Sequence, residues 1–129
     1  MHGEYILDTN VVIALMESDA SVLRRIKEPG SAFFSVVVLG ELTYGARNSS
    51  QVERNLLRIH DLLRGMTLLA CDDSTAEQYG IVKAELKRLG KPIPENDIRI
   101  AAQCRQYDFT LVTRDAHFTA IDGLRIENW

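Results

Sequence analysis

The sequence predicts an α/β domain built on a mainly parallel sheet, and three observations lead there. The strand candidates are short, continuous apolar runs, as strands buried on both faces require, rather than alternating ones. They alternate along the chain with helix patterns. Right-handed crossovers then leave few small topologies. In the strand order 3-2-1-4-5, strands 1 and 4 become neighbours where the direction of growth reverses, and their carboxyl ends open into a crevice. At 129 residues and 46% hydrophobic composition, residues 1–129 make one domain with a substantial core. Linkers, low-complexity runs and repeats are not evident.

Residues 4–8 predict the first strand, carried by Tyr5-Ile6-Leu7 and ending at Asp8-Thr9-Asn10. A short helix follows over 11–17. A second begins near Asp19 or Ser21, uses Val22, Leu23 and Ile26, and stops at Pro29-Gly30. The next apolar run, 32–35, is strand 2. Residues 37–48 predict a partly buried helix carrying Glu41 and Gly45 one turn apart. Ser50-Gln51-Val52-Glu53 has the spacing of a capping box, opening a helix with Val52, Leu56, Ile59 and Leu63 on one face and Gly65 at its end. Residues 66–71 form strand 3, followed by Asp72-Asp73. Ser74-Thr75-Ala76-Glu77 is a second capping-box pattern, before a helix with Ala76, Tyr79, Val82, Leu86 and Leu89 along one side and Gly90 as its stop.

Pro92 and Pro94 prevent that helix from continuing, and Asn96 and Asp97 offer oxygens for the start of another. Ile98, Ala101, Ala102 and Cys104 give the new helix a small-residue apolar face, so it can lie close against a sheet. Strand 4 is expected at 109–113, a turn at 114–116 and a last short strand at 124–126.

Composition excludes some classes. The apolar stretches at 5–7 and 11–16 are broken by Asp8 and Asn10 and are too short to span a membrane, and a signal-peptide pattern is lacking, so a cytoplasmic protein is expected. Cys71 and Cys104 both fall in apolar elements and read as reduced core thiols. A net charge of −3 does not mark a nucleic-acid binder. Basic residues nevertheless gather at Arg24-Arg25-Lys27, Arg54-Arg58-Arg64 and Lys83-Lys87-Arg88-Lys91, for which solvated helix faces are the ordinary explanation.

Four carboxylates occupy particular places. Asp8 ends strand 1, Asp115 follows strand 4, Asp97 opens the helix leading into strand 4, and Glu41 lies in the helix leaving strand 2. Singly, each has a plain structural use as a cap, a solvated helix residue or a turn former. Gathered around one crevice they repel, and a hard divalent cation resolves the repulsion. Mg²⁺ takes oxygen ligands and keeps waters for chemistry, and Mn²⁺ suits the same donors. His and Cys residues are not at zinc-ligand spacing. Such a crevice suits phosphodiester hydrolysis.

The segments Leu7-Asp8-Thr9-Asn10, Gly40-Glu41-Leu42-Thr43-Tyr44-Gly45, Asn96-Asp97-Ile98-Arg99-Ile100-Ala101-Ala102 and Leu111-Val112-Thr113-Arg114-Asp115 resemble the ordered motifs of PIN-domain proteins. They look most like VapC toxins of type II toxin–antitoxin systems. The resemblance covers essentially the whole chain, including a terminal Leu-Arg-Ile-Glu-Asn-Trp like that of the initiator-tRNA-cleaving branch. It implies a three-layer α/β/α fold, a Mg²⁺-dependent endoribonuclease acting on RNA such as initiator tRNA, and a VapB-type antitoxin partner. It also implies a homodimer or a toxin–antitoxin hetero-oligomer. Carried over by position, Asp8, Glu41, Asp97 and Asp115 form the acidic catalytic and metal site. Thr9, Asn10 and Thr113 are candidates to orient those carboxylates or a phosphate, with turn formation as the competing use. Arg99 departs from the pattern, since relatives often carry an apolar or aromatic residue there. It is a candidate contact for RNA phosphate or a partner carboxylate, with an exposed helix position as the alternative.

Other residues carry less. Glu95 reads as solvated, His117 with Phe118 resembles a family feature but reads more plainly as a surface turn, Tyr44 with Arg47 reads as a nucleotide contact or packing, and Trp129 as docked on the sheet edge or part of an interface. The competing functions are a phosphoacceptor signalling domain, for which Asp72-Asp73 is the best support, and a catalytically silent RNA- or partner-binding scaffold.

Overall fold

A computed structural model describes residues 3–26 and 31–129. Five strands form one sheet: β1 (Tyr5–Leu7), β2 (Ala32–Ser35), β3 (Thr67–Leu69), β4 (Thr110–Val112) and β5 (Ile126–Glu127). Their order is β3-β2-β1-β4-β5 and every pairing is parallel. Helices cover both faces. They are α1 (Thr9–Met16), α2 (Ala20–Arg25), α3 (Val36–Arg47), α4 (Val52–Gly65), α5 (Asp73–Leu89) and α6 (Glu95–Tyr107), with a short 3-10 helix at Ala116–Ala120. The expected α/β/α layering and strand order are thus present.

The strands are as apolar as their two-sided burial demands. Ile6, Leu7, Phe34, Leu111 and Val112 are fully buried and form the core with Val11, Val12, Val38, Ile100 and Phe118. Each such side chain contributes about 1.5–3 kcal/mol relative to its exposed state. In α3 the core side is Val38, Leu42 and Ala46, spaced by four, and Val36, Gly40 and Tyr44 face outward on the opposite stripe. That helix starts cleanly because the buried Ser35 hydroxyl accepts the Val37 N–H at 2.9 Å.

Several boundaries differ from the sequence reading. The first helix begins two residues early, because Asp8 itself is its N-cap. Helix α4 has no side-chain cap: Ser49, rather than Ser50, bends back to the Ala46 carbonyl and receives Gln51 N–H and Asn55 Nδ2. Helix α5 starts at Asp73, because Asp72 and Thr75 form the reciprocal capping pair that Ser74 and Glu77 were expected to form. Gly90 closes α5 in the left-handed conformation, φ +67°, which glycine adopts without strain. The last strand lies two residues later than expected, where its backbone meets β4. The Pro29-Gly30 stop and Lys27 lie outside the described residues.

Cys104 is a core thiol as expected, and burial pushes its pKa far up. Cys71 is exposed instead, because β3 ends at Leu69 and leaves it in the following loop. Trp129 docks on Tyr5, ring centroids 5.1 Å apart. No helix among the described residues is long and apolar enough to cross a membrane.

Candidate active site

The register of β1 against β4 builds the centre of the site. Leu7 pairs with Val112, and the Asp8 N–H donates to the Val112 carbonyl at 2.9 Å, so Asp8 and Thr113 leave their strands side by side. The Thr113 hydroxyl donates to Asp8 Oδ2 at 2.8 Å and accepts the Asp115 N–H at 3.0 Å. One buried hydroxyl therefore links the Asp8 carboxylate to the backbone of Asp115, more than a hundred residues away in the chain. Asp8 Oδ1 accepts the Thr9 N–H at 2.8 Å. Each oxygen of Asp8 keeps a further lone pair for another partner.

Asp97 enters from the first turn of α6. Pro94, not Asn96 or Asp97, occupies the N-cap position, because its fixed φ places the turn before Glu95. The Asp97 carboxylate is thus not spent on capping. Its Oδ2 lies 3.2 Å from His117 Nδ1, and the same nitrogen lies 3.1 Å from Asp115 Oδ1. Asp115 also caps the 3-10 helix by accepting the His117 N–H at 2.9 Å. Asp97, Asp115 and His117 each offer a ligand atom within 4.8 Å of the others, the one such group among the described residues. His117 was set aside in the sequence as a surface residue. The available signal was its position two residues after Asp115, where an Asx turn brings the ring back over the carboxylate.

Glu41 completes the ring from α3. The charges of Asp8 and Asp97 both act on it, although it stands outside the tightest group. The Thr9 hydroxyl is buried and makes no hydrogen bond of good geometry, yet it faces Glu41 closely enough to favour the ionised carboxylate. Asn10 accepts the Arg114 N–H at 3.2 Å and so ties α1 to the loop after β4. Arg114 is adjacent to Asp115 in sequence, but its guanidinium turns to Asp19 (3.2 Å) and the Trp129 carbonyl (2.9 Å). Glu95 is held by Lys83 and Tyr79, away from this ring. Arg99 is exposed, with Nη1 3.0 Å from Asn96 Oδ1.

The electrostatics follow from burial. Desolvation raises the pKa values of Asp8, Glu41 and Asp97 above the ordinary carboxylate range. Mutual repulsion adds to this: Asp115 acts on Asp8 and Asp97, Asp8 on Glu41 and Asp97, and Asp97 on Glu41. The hydrogen bonds from Thr113 to Asp8 and from His117 to Asp97 oppose the rise. Such a set of oxygen donors, strained by its own charge and lacking a Lys or Arg within it, fits a hard divalent cation such as Mg²⁺ or Mn²⁺.

The pH dependence has a definite sign. A carboxylate whose folded pKa is raised binds more protons in the folded chain, so stability falls as pH rises through that pKa. Asp19, Asp72 and Glu95 are shifted the other way, and their contribution is lost only at lower pH. In EDTA the melting temperature should therefore fall as pH rises through and above the ordinary carboxylate range, and Mg²⁺ should flatten the slope. A scan in EDTA that is flat over that window would contradict the crowding of these groups.

Comparison with known proteins adds three kinds of match. The PIN domain family model matches residues 5–124. The chain is 39% identical over 129 residues to "Ribonuclease VapC2" of Haemophilus influenzae, covering 98% of both chains. It is 36% identical to the "tRNA(fMet)-specific endonuclease VapC" of Shigella flexneri, again over 98% of each. Among solved structures it resembles DNA-bound VapBC from Salmonella typhimurium, with a TM-score of 0.92, 30% identity and 99% of each chain covered.

Proposed function

Because the chain belongs to the PIN-domain family, we propose that it is a metal-dependent endoribonuclease, the toxin of a VapBC-type toxin–antitoxin pair. The observation that carries this reading is the Asp97–Asp115–His117 group, joined to Asp8 through the Thr113 hydroxyl at the carboxyl ends of β1 and β4. Residues 1–129 act as a single domain in this reading.

Asp8 and Asp97, both at rigid element ends, are the principal ligands of Mg²⁺, for which Mn²⁺ substitutes. Asp115 completes the set directly or through water, and Glu41 either holds the ion through water or orients the attacking water. When bound, the metal polarises a phosphoryl oxygen, lowers the pKa of water and steadies the leaving oxyanion. The chain supplies the geometry around it. Thr113 fixes the angle between Asp8 and Asp115, Asn10 holds the loop that carries Asp115, and the Thr9 hydroxyl orients Glu41. His117 stands where it restrains Asp97 and Asp115.

The relatives' names support initiator tRNA as the substrate to test first. A VapB-type antitoxin is the expected partner, since the solved neighbours are toxin–antitoxin assemblies, and a homodimer or hetero-oligomer is the expected state. The phosphoacceptor reading loses its support. Asp72 spends Oδ1 on the Thr75 N–H (3.0 Å) and on Gln106 (2.8 Å), after the edge strand β3 and away from the crevice.

Purified protein incubated with total cellular RNA should generate discrete new 5′ ends in Mg²⁺ and none in EDTA. RNA left intact by metal-loaded protein would sink the proposal.

A further inference from the structure

Glu41 borders two clefts of different character. One, of about 220 Å³, lies between α1, α3 and α4 and is mostly apolar, lined by Ile13, Met16, Leu42 and Ile59. Its one cation, Arg58, reaches the Met16 carbonyl. The other, of about 490 Å³, lies between the outward stripe of α3 and the start of α6, and Glu41, Tyr44, Asn96 and Arg99 line it. That volume falls in the range of small-ligand sites.

The second cleft has an open floor. Gly40 sits one turn from both Val36 and Tyr44, and a Cβ built on it would meet no atom within 4 Å. Tyr44 is 71% exposed. On the opposite wall Arg99 is held by Asn96 and lies 5.5 Å from the centre of the Tyr79 ring. Its charge reaches Glu95, but it forms no ion pair within 4 Å among the described residues. An exposed aromatic face and a guanidinium pre-positioned by Asn96 but in no ion pair among the described residues, beside a phosphodiester-cleaving centre, are what a single-stranded nucleotide needs. Bases stack on aromatic rings, and guanidinium groups bind phosphate oxygens.

Resting on the nuclease reading above, we propose that the α3/α6 cleft is a nucleotide subsite. In it Tyr44 stacks on a base of the RNA strand next to the scissile phosphate, and Arg99 holds the neighbouring phosphate. In a chain of net charge −3, this gives a polyanion a local foothold next to an acidic centre.

The test measures binding of a fluorescein-labelled, mixed-sequence single-stranded RNA decamer by anisotropy. It uses full-length protein carrying Asp97→Asn, so that the probe is not cut. Added to that background, Tyr44→Ala should weaken binding about tenfold, and Tyr44→Trp should restore it. Gly40→Leu, whose Cβ meets no atom within 4 Å and which removes a helix-interior glycine, should abolish binding while keeping or raising the melting temperature. Arg99→Gln should reduce the salt slope by about 0.7, the share of one single-strand phosphate contact. A background protein that does not bind the decamer overturns the subsite, and so do Tyr44→Ala and Gly40→Leu proteins that bind it as the background does. Variants that keep RNA but lose dimer formation or antitoxin binding overturn it too, and reassign the cleft to a protein interface. Cleavage of total RNA by protein with Asp97 intact tests the nuclease reading alone, so the two failures are separable.

Discussion

Asp97→Asn should remove RNA cleavage while leaving the fold intact. The side chain stands in the first turn of α6 with its carboxylate free of capping duty, so the amide keeps the volume while losing the charge and one acceptor oxygen. Loss of a partner that merely orients a metal ligand costs about 10–100-fold, and loss of the ligand itself should cost more. The same substitution removes a carboxylate that burial, Asp8 and Asp115 all disfavour. In EDTA at neutral pH the variant should therefore melt at a higher temperature than the parent, and in Mg²⁺ the order should reverse. Single-turnover cleavage and paired thermal scans decide both points. An Asp97→Asn protein that cuts at the parental rate would remove this residue from the metal set.

Phe118→Ala should produce the largest loss of stability, about 3–5 kcal/mol, a large share of the roughly 5–15 kcal/mol that holds a domain together. Phe118 is fully buried and belongs to the 3-10 helix that Asp115 caps. It anchors from below the turn that carries His117 above, so cleavage should fall as well, even at temperatures where the variant remains folded. Urea titration gives the stability, and Phe118→Leu, which retains most of the volume, should cost less. A loss under about 1 kcal/mol would mean that the turn is held by its hydrogen bonds and not by this ring.

How far the sequence reaches can be judged from particular residues. Strand β2 was legible to the residue, because a four-residue apolar run can hardly be anything else between two helix signals. Asp8 and Asp115 were placed together by topology alone, since apolar strands and right-handed crossovers leave strands 1 and 4 adjacent. His117 was not legible, because five residues of 3-10 helix have no periodicity to betray them, and a single turn decides which way the ring points. The caps of α4 and α5 were misjudged for a related reason. Several Ser, Thr and Asp residues compete at each start, and tertiary contacts such as Gln106 with Asp72 select among them. Gln103 was not singled out in the sequence. It is fully buried, and its Nε2 donates to the carbonyls of Leu69 and Ala70 at the end of β3.

The pairing of β1 with β4 has a consequence for the order of events during synthesis. Tyr5 leaves the ribosome more than a hundred residues before its neighbour in the sheet, Thr110. When Asp8, Glu41 and Asp97 have all been translated, the strand that leads to Thr113 and seats it against Asp8 still has not. Long-range parallel pairing of this kind forms late. The acidic centre therefore stays unassembled until β4 has been made, however early its other carboxylates emerge.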